Sequence, residues 1–452
     1  VTTIASQSER GSASIVRREW PLAIDAGTAA LFLVFGYAWL SDLRSEAWFT
    51  FVFVWLITVI AISAFAVVRH AECLAIKLGE PLGTLILTLA VTGVEVMMIS
   101  AVMYAGQGAS EFARDAMFAV VMIVLNGMIG LSLLLGGLKH REQSYNLQGA
   151  SAFLGVIIPL AVLGLVMPNF TLASAGGTMS RAQATFAIVM SLALYGVFLV
   201  IQNLRHKNYF IAPPARAMSA IDRERDERGW SHAGMREGER DERAWSQAGH
   251  SAHASHAADA THAARAAHVG DAAHATASVQ VDQRDRTDPA ADDAHAHHGF
   301  DVRSMRYHVT FLLAYLIPLV LLAKQVGKPI QFAIDAWHAP AALGGLIVAA
   351  LVLSPESMGA VRAARANELQ RSVNILLGSV LATISLTIPA VLIIGRATHQ
   401  TIVLGLDPVD TTLLVLTLAV SALTFSSAKT NVLSGAVHLL LFLAYVVLIF
   451  ER

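Results

Sequence analysis

Eleven apolar runs, most of them close to the length that crosses a hydrocarbon core as a helix, dominate this sequence. They are 21–40, 48–68, 81–105, 116–138, 149–168, 182–201, 307–323, 339–361, 372–395, 409–427 and 432–450. A bilayer takes about 20 helical residues per crossing. Lipid offers backbone N–H and C=O groups no outside partner, so the spans must be helices that satisfy their own backbones. The chain therefore reads as an all-α polytopic membrane protein with about eleven transmembrane helices. Composition agrees: 55% of its 452 residues are hydrophobic and 14% charged, against about a quarter charged in ordinary soluble chains. The net charge of −1 says nothing about partners. Cys73 is the single cysteine, which excludes an internal disulfide framework. The opening stretch "SERGSASIVRREW" leads into a full-length span and lacks the pattern of a cleaved signal.

Basic residues in short loops set orientation. Eleven, among them Arg69, Lys77, Lys139, Arg205, Arg362 and Arg371, collect on one side, against six on the other. This bias predicts a cytoplasmic N-terminus in a cytoplasmic (inner) membrane protein, with the C-terminus outside.

A long polar interruption at 202–304 divides the chain. It holds the near-repeat "DERGWSHAG" and "DERAWSQAG", then an Ala/His/Asp-rich stretch from His253 to His298. Dense charge and low hydrophobicity predict a disordered cytoplasmic linker, and its histidine spacing matches no closed metal site. The expected division is a tail at 1–20, an extra helix and loop at 21–47, a first five-helix repeat at 48–201, the linker at 202–304, and a second five-helix repeat at 305–452. An odd number of spans per repeat inserts the second copy upside down, a plan common among secondary transporters.

Corresponding spans carry corresponding chemistry. "LTLAVTGVEVMMIS" (87–100) places Glu95 as the one charge of span 81–105, and "VLSPESMG" places Glu356 as the one charge of span 339–361. A carboxylate at a helix centre costs about 2.5–3.5 kcal/mol on insertion scales, so two at matched depth point to function. Thr84, Thr88 and Thr92 share the helical face of Glu95, offering hydroxyl oxygens beside the acid. Pro355, next to Glu356, removes a donor and frees a carbonyl. Oxygen-only ligands select hard cations, and two carboxylates balance a divalent charge such as calcium. When empty, two acids held together in low dielectric bind protons more readily. Protons and cation then compete for the same oxygens, which is the chemistry of proton/cation antiport. Walker A, HExxH and GxGxxG patterns are absent, which argues against a nucleotide-driven pump or a cofactor enzyme; no cofactor is expected.

"GEPLGTLILTLAVTGVEV" (79–96), "NGMIGLSLLLGGLKHREQ" (126–143) and "LSPESMGAVRAARANELQRSVNILLGSVLATISLTIPAVLIIG" (353–395) resemble the bacterial calcium/proton antiporters of the cation/calcium exchanger superfamily. That branch also includes sodium/proton and potassium/proton antiporters. The resemblance covers both hydrophobic halves and not the linker. It implies ten core helices in two inverted repeats plus one extra N-terminal helix, with Glu95 and Glu356 as the essential acids of the two repeat motifs. It also implies that Asn126 and Ser379, on the spans after the motif helices, approach the site. The chain departs from the superfamily's Gly-Asn-x-x-Glu pattern, with Thr92 and Leu353 at the two Asn positions, and Ala382 stands where an amide is often found. Fewer amide oxygens leave the ion open.

The expected function is exchange of cytoplasmic calcium for protons by alternating access. Glu95 and Glu356 would bind cation and protons, with oxygens from Thr88, Thr92, Asn126, Ser354 and Ser379. Glu72 is a candidate for proton access or gating, against an interfacial ion pair. A sodium or potassium/proton antiporter on the same scaffold is the alternative, and a cation channel the reading from another class. Expected partners are membrane lipid and inorganic cations, with no nucleic acid; a homo-oligomer is compatible with all of this.

Overall fold

In a computed structural model, which describes residues 18–79, 82–105, 109–174, 176–211 and 303–451, helix-start signals and apolar runs together produce eleven long helices among the described residues. The tail at 1–17, most of the linker, and the side chain of Thr84 lie outside the described residues. In chain order the helices are α1 (Trp20–Trp39), α2 (Glu46–Leu78), α3 (Leu82–Ala105), α4 (Ser110–His140), α5 (Leu147–Phe170), α6 (Arg181–Arg205), α7 (Met305–Ala336), α8 (Ala342–Arg365), α9 (Leu369–Ala397), α10 (Pro408–Thr424) and α11 (Val432–Phe450). All but α10, which is apolar but shorter, are long and apolar enough to cross a membrane. Side chains accepting from the first-turn N–H groups mark the starts: Ser45, Asn146, Ser180, Ser304, Asp407 and Asn431.

Two spans differ from the sequence reading. The apolar runs 48–68 and 307–323 stop at Arg69 and Lys324, yet α2 continues to Leu78 and α7 to Ala336. A packed helix propagates through a charge that finds a partner. Arg69 donates to Glu19 at 2.6 Å, and Lys328 lies 5.7 Å from the Tyr37 ring centroid. The extension matters, because it carries His70 and Glu72 on α2.

Helices α2–α6 and α7–α11 form two five-helix sets. Their second members, α3 and α8, each have 24 residues, and their third members, α4 and α9, each widen into a π segment midway, at Ile123–Met128 and Thr383–Thr387. Loop pairings sort the ends by side. Strand β1 (Gln143–Ser144) pairs antiparallel with β2 (Lys429–Thr430), joining the α4–α5 and α10–α11 loops. A bridge between Thr178 and Val403 joins the α5–α6 and α9–α10 loops. With one crossing per helix, both pairings require the second set to run opposite to the first, as inverted repeats do.

Buried side chains form two cores. One gathers α4, α5, α6, α9, α10 and α11; the other gathers α1, α2 and α7. Helices α3 and α8 contribute to both: Ile99 and Leu353 to the first, Met98 and Val352 to the second. The two acid-bearing helices thus occupy the seam. The outer faces stay apolar, with Leu33, Val34, Ile317, Leu440 and Val447 exposed, as a lipid-facing belt requires.

Candidate functional site

Glu95 and Glu356 sit near the middle of their helices and line one cavity of about 420 Å³. Glu95 is 3% exposed. The π segment of α9 grips it: Thr383 Oγ1 donates to one carboxylate oxygen at 2.7 Å, and Thr387 Oγ1 lies 3.4 Å from the other. One helical turn earlier on α9, Ser379 Oγ donates to Glu356 at 2.6 Å. A π segment inserts an extra residue into the helical turn and re-aims its side chains. Three hydroxyls of α9 therefore reach carboxylates on two other helices. The two acids are within electrostatic reach of each other, and Glu72 is within reach of Glu356.

The cavity runs from these acids to the linker-side ends of α2, α6 and α9. Its walls there include Glu72, Gln202, Asn203, Asn374 and the exposed Ile211. On the opposite side, α8 presses against α4. A Cβ on Gly345 would lie 2.8 Å from the Ala116 backbone N. No side chain fits between the two helices there.

The expected oxygen set divides. Thr88, Thr92 and Ser379 line the cavity with both acids. Asn126 does not line it: its amide donates to Thr417 Oγ1 at 2.8 Å, and its carbonyl oxygen lies 3.2 Å from His438 Nδ1. The π segment of α4 turns Asn126 towards α10 and α11, where its polar atoms are spent. Ser354 does not line it either, since its hydroxyl donates back to Leu351 O at 2.8 Å within its own helix. Glu72 stands at the linker-side mouth, with Arg371 in electrostatic reach. His438 donates or accepts within the Asn126–Thr424 network and acts in packing.

Thr383 and Thr387 were not singled out by the motifs. The signal was present: Ser379, Thr383 and Thr387 recur every fourth residue, the rhythm of Thr84, Thr88 and Thr92. Among the described residues no group of three or more His, Cys, Asp or Glu side chains could hold a metal ion. A cation in the cavity would be met by two carboxylates, hydroxyls and water.

The sodium/calcium exchanger protein family matches residues 48–204 and 301–451, both helix sets and their junctions with the linker. The chain belongs to that family. The sodium-potassium/proton antiporter ChaA of Escherichia coli (strain K12) is 34% identical to this exchanger over 389 residues, 86% of each chain. A putative ionic transporter, y4hA, of Sinorhizobium fredii (strain NBRC 101917 / NGR234) is 36% identical over 387 residues, 85% of each. Among solved structures, native YfkE superposes with a TM-score of 0.61 at 15% identity, covering 95% of the exchanger and all of that chain. The H+/Ca2+ exchanger CAX superposes at 0.55 and 13% identity, covering 94% and 89%. These two likenesses establish the fold. The exchanger is thus a multi-pass membrane antiporter of cations, and its relatives of known name are transporters, not enzymes.

Proposed function

We propose that the exchanger moves calcium out of the cytoplasm in return for protons, with Glu95 and Glu356 as the shared binding groups. The observation that carries this is the convergence of one acid from each repeat on a single cavity. Two ionised carboxylates neutralise a divalent cation, and hydroxyls from Thr88, Thr92, Thr383 and Ser379 supply neutral oxygens. Once the cation leaves, repulsion and poor solvation favour protonation of the same oxygens. The cavity that reaches the linker-side ends corresponds to a cytoplasm-facing state in the inner membrane, with the N-terminus cytoplasmic. Protons pass by Glu72 at the mouth. Rocking of the two cores about α3 and α8 would open the opposite face.

Sodium or potassium for protons is the second reading, favoured by the name of the 34%-identical relative and by Thr92, Leu353 and Ala382 standing where the superfamily carries amides. Everted vesicles with an imposed pH gradient discriminate. Calcium is expected to collapse the gradient in the intact exchanger and to leave it standing in Glu95→Gln. Collapse by sodium or potassium alone selects the second reading. A collapse that persists in Glu95→Gln removes the two-acid mechanism altogether.

A further inference from the structure

A second set of buried titratable groups lies outside the cavity, at the linker-side ends of α1, α2 and α7. Glu19, immediately before α1, is 6% exposed; His70 on α2 and His308 on α7 are 1% and 2% exposed. The two rings touch through their Nδ1 atoms at 3.0 Å. Around them, Tyr307 Oη and Tyr315 Oη donate to Glu19 at 2.6 and 3.1 Å, and Arg69 Nη2 donates to it at 2.6 Å. His70 Nε2 lies 3.4 Å from the Glu19 carboxylate. The backbone N–H of Arg303, beside the linker, donates to His308 Nε2 at 3.1 Å. Arg18, Arg69 and Lys77 place positive charge within reach of His308, opposed by Glu19.

These neighbours assign the protons. His308 Nε2 accepts from Arg303, so its proton is on Nδ1 and is donated to His70 Nδ1. The proton of His70 is then on Nε2, towards Glu19, while Arg69, 3.1 Å from that nitrogen, also has Glu19 as its acceptor. Each ring is neutral in this arrangement. A further proton on His70 sets N–H against N–H across the 3.0 Å contact, and one on His308 sets N–H against the Arg303 N–H. Either loses a hydrogen bond and adds like charge beside Arg69 and Lys77.

We propose that His70 and His308 form a second proton-binding site, separate from the cavity acids. Its neutral state latches α1, α2 and α7 together, and its protonation releases them. The consequence for transport follows from the chain: α2 runs from His70 directly to Glu72 and carries Val68, both in the cavity wall. Acidification on the linker side therefore loosens the wall of the linker-facing cavity, and exchange slows. Imidazole is the side chain suited to such a response, changing charge between about pH 5 and 8 when unperturbed.

The test uses the full chain in lipid nanodiscs with Glu95→Gln and Glu356→Gln, which keeps both cavity acids neutral at every pH. Cys73→Ser removes the native thiol, and nitroxides are attached at Trp20→Cys and Met305→Cys, both exposed positions at the starts of α1 and α7. Electron-spin distance measurements are taken at about pH 8 and at steps down to about pH 4. The expected result is a severalfold rise in a longer-distance population at acid pH. Adding His70→Asn and His308→Asn, which keep amide groups but cannot be protonated, should abolish the rise; His308→Gln alone should reduce it. An unchanged distribution with both histidines present overturns the proposal, as does a rise that survives the double His→Asn change. Because the cavity acids are silenced throughout, neither outcome depends on which cation is exchanged.

Discussion

Thr383 is the residue on which the candidate site most visibly depends. It is buried, sits on the π segment of α9, and donates at 2.7 Å to Glu95. A hydrogen bond to a charged group is worth about 1.5–3 kcal/mol, so Thr383→Val should raise the apparent KM for the cation about tenfold, with Thr383→Ser restoring most of the loss. Equal transport kinetics in Thr383→Val and the parent would remove Thr383 from the site. Glu19 supports a second prediction. Burial raises its proton affinity, but the Tyr307 hydrogen bond, the charge of Arg69 and the Tyr315 hydrogen bond outweigh it and hold the carboxyl below the usual range. A depressed folded-state value stabilises the fold above the ordinary carboxylate pKa of about 4.3, and that contribution is lost as pH falls through the lower folded value. Thermal melting in detergent should fall on strong acidification, with a shallower slope in Glu19→Gln.

At the scale of the helix, the seam and the π segments make predictions of their own. Helices α4 and α11 cross in close contact: a Cβ on Gly435 would lie 2.5 Å from Leu134 N and 2.8 Å from Gly130 O. Backbone cannot yield as a side chain can, so Gly435→Ala should cost about 1–3 kcal/mol, visible as a lower melting temperature. The π segment of α9 invites a different change. Deleting one of Ile384, Ser385 or Leu386 would restore an α-helical turn and change the spacing of Thr383 and Thr387, so that the two hydroxyls no longer match the two oxygens of Glu95. Transport should be lost while the protein still purifies as a folded species. Retained transport would show that the extra residue is dispensable. Helix existence and most boundaries were legible from the apolar runs, because lipid exposure demands them. The ends of α2 and α7 were not, since Arg69 reads as an interface until Glu19, fifty positions away, supplies its partner.

The cavity of the exchanger reaches the linker-side ends, while α8 packs tightly on α4 at the opposite side. Gly359 lines that cavity, and a Cβ there meets nothing within 4 Å. In a Cys73→Ser background, Gly359→Cys should react with a membrane-impermeant thiol reagent from the linker side and more slowly in the presence of the transported cation. Reaction from the opposite side alone would contradict the described state. Two acids at matched depth, the apolar spans and the odd repeat count were all present in the sequence, because the cost of burying a carboxylate in lipid makes each one conspicuous. The sequence by itself therefore determined the membrane fold, its division into two helix sets and the pair Glu95 and Glu356. Only the tertiary structure decided which oxygens meet them. Rotation about a helix axis at the π segments sends Asn126 to His438 and brings Thr383 and Thr387 to Glu95, and no local spacing encodes a rotation set by how neighbouring helices pack.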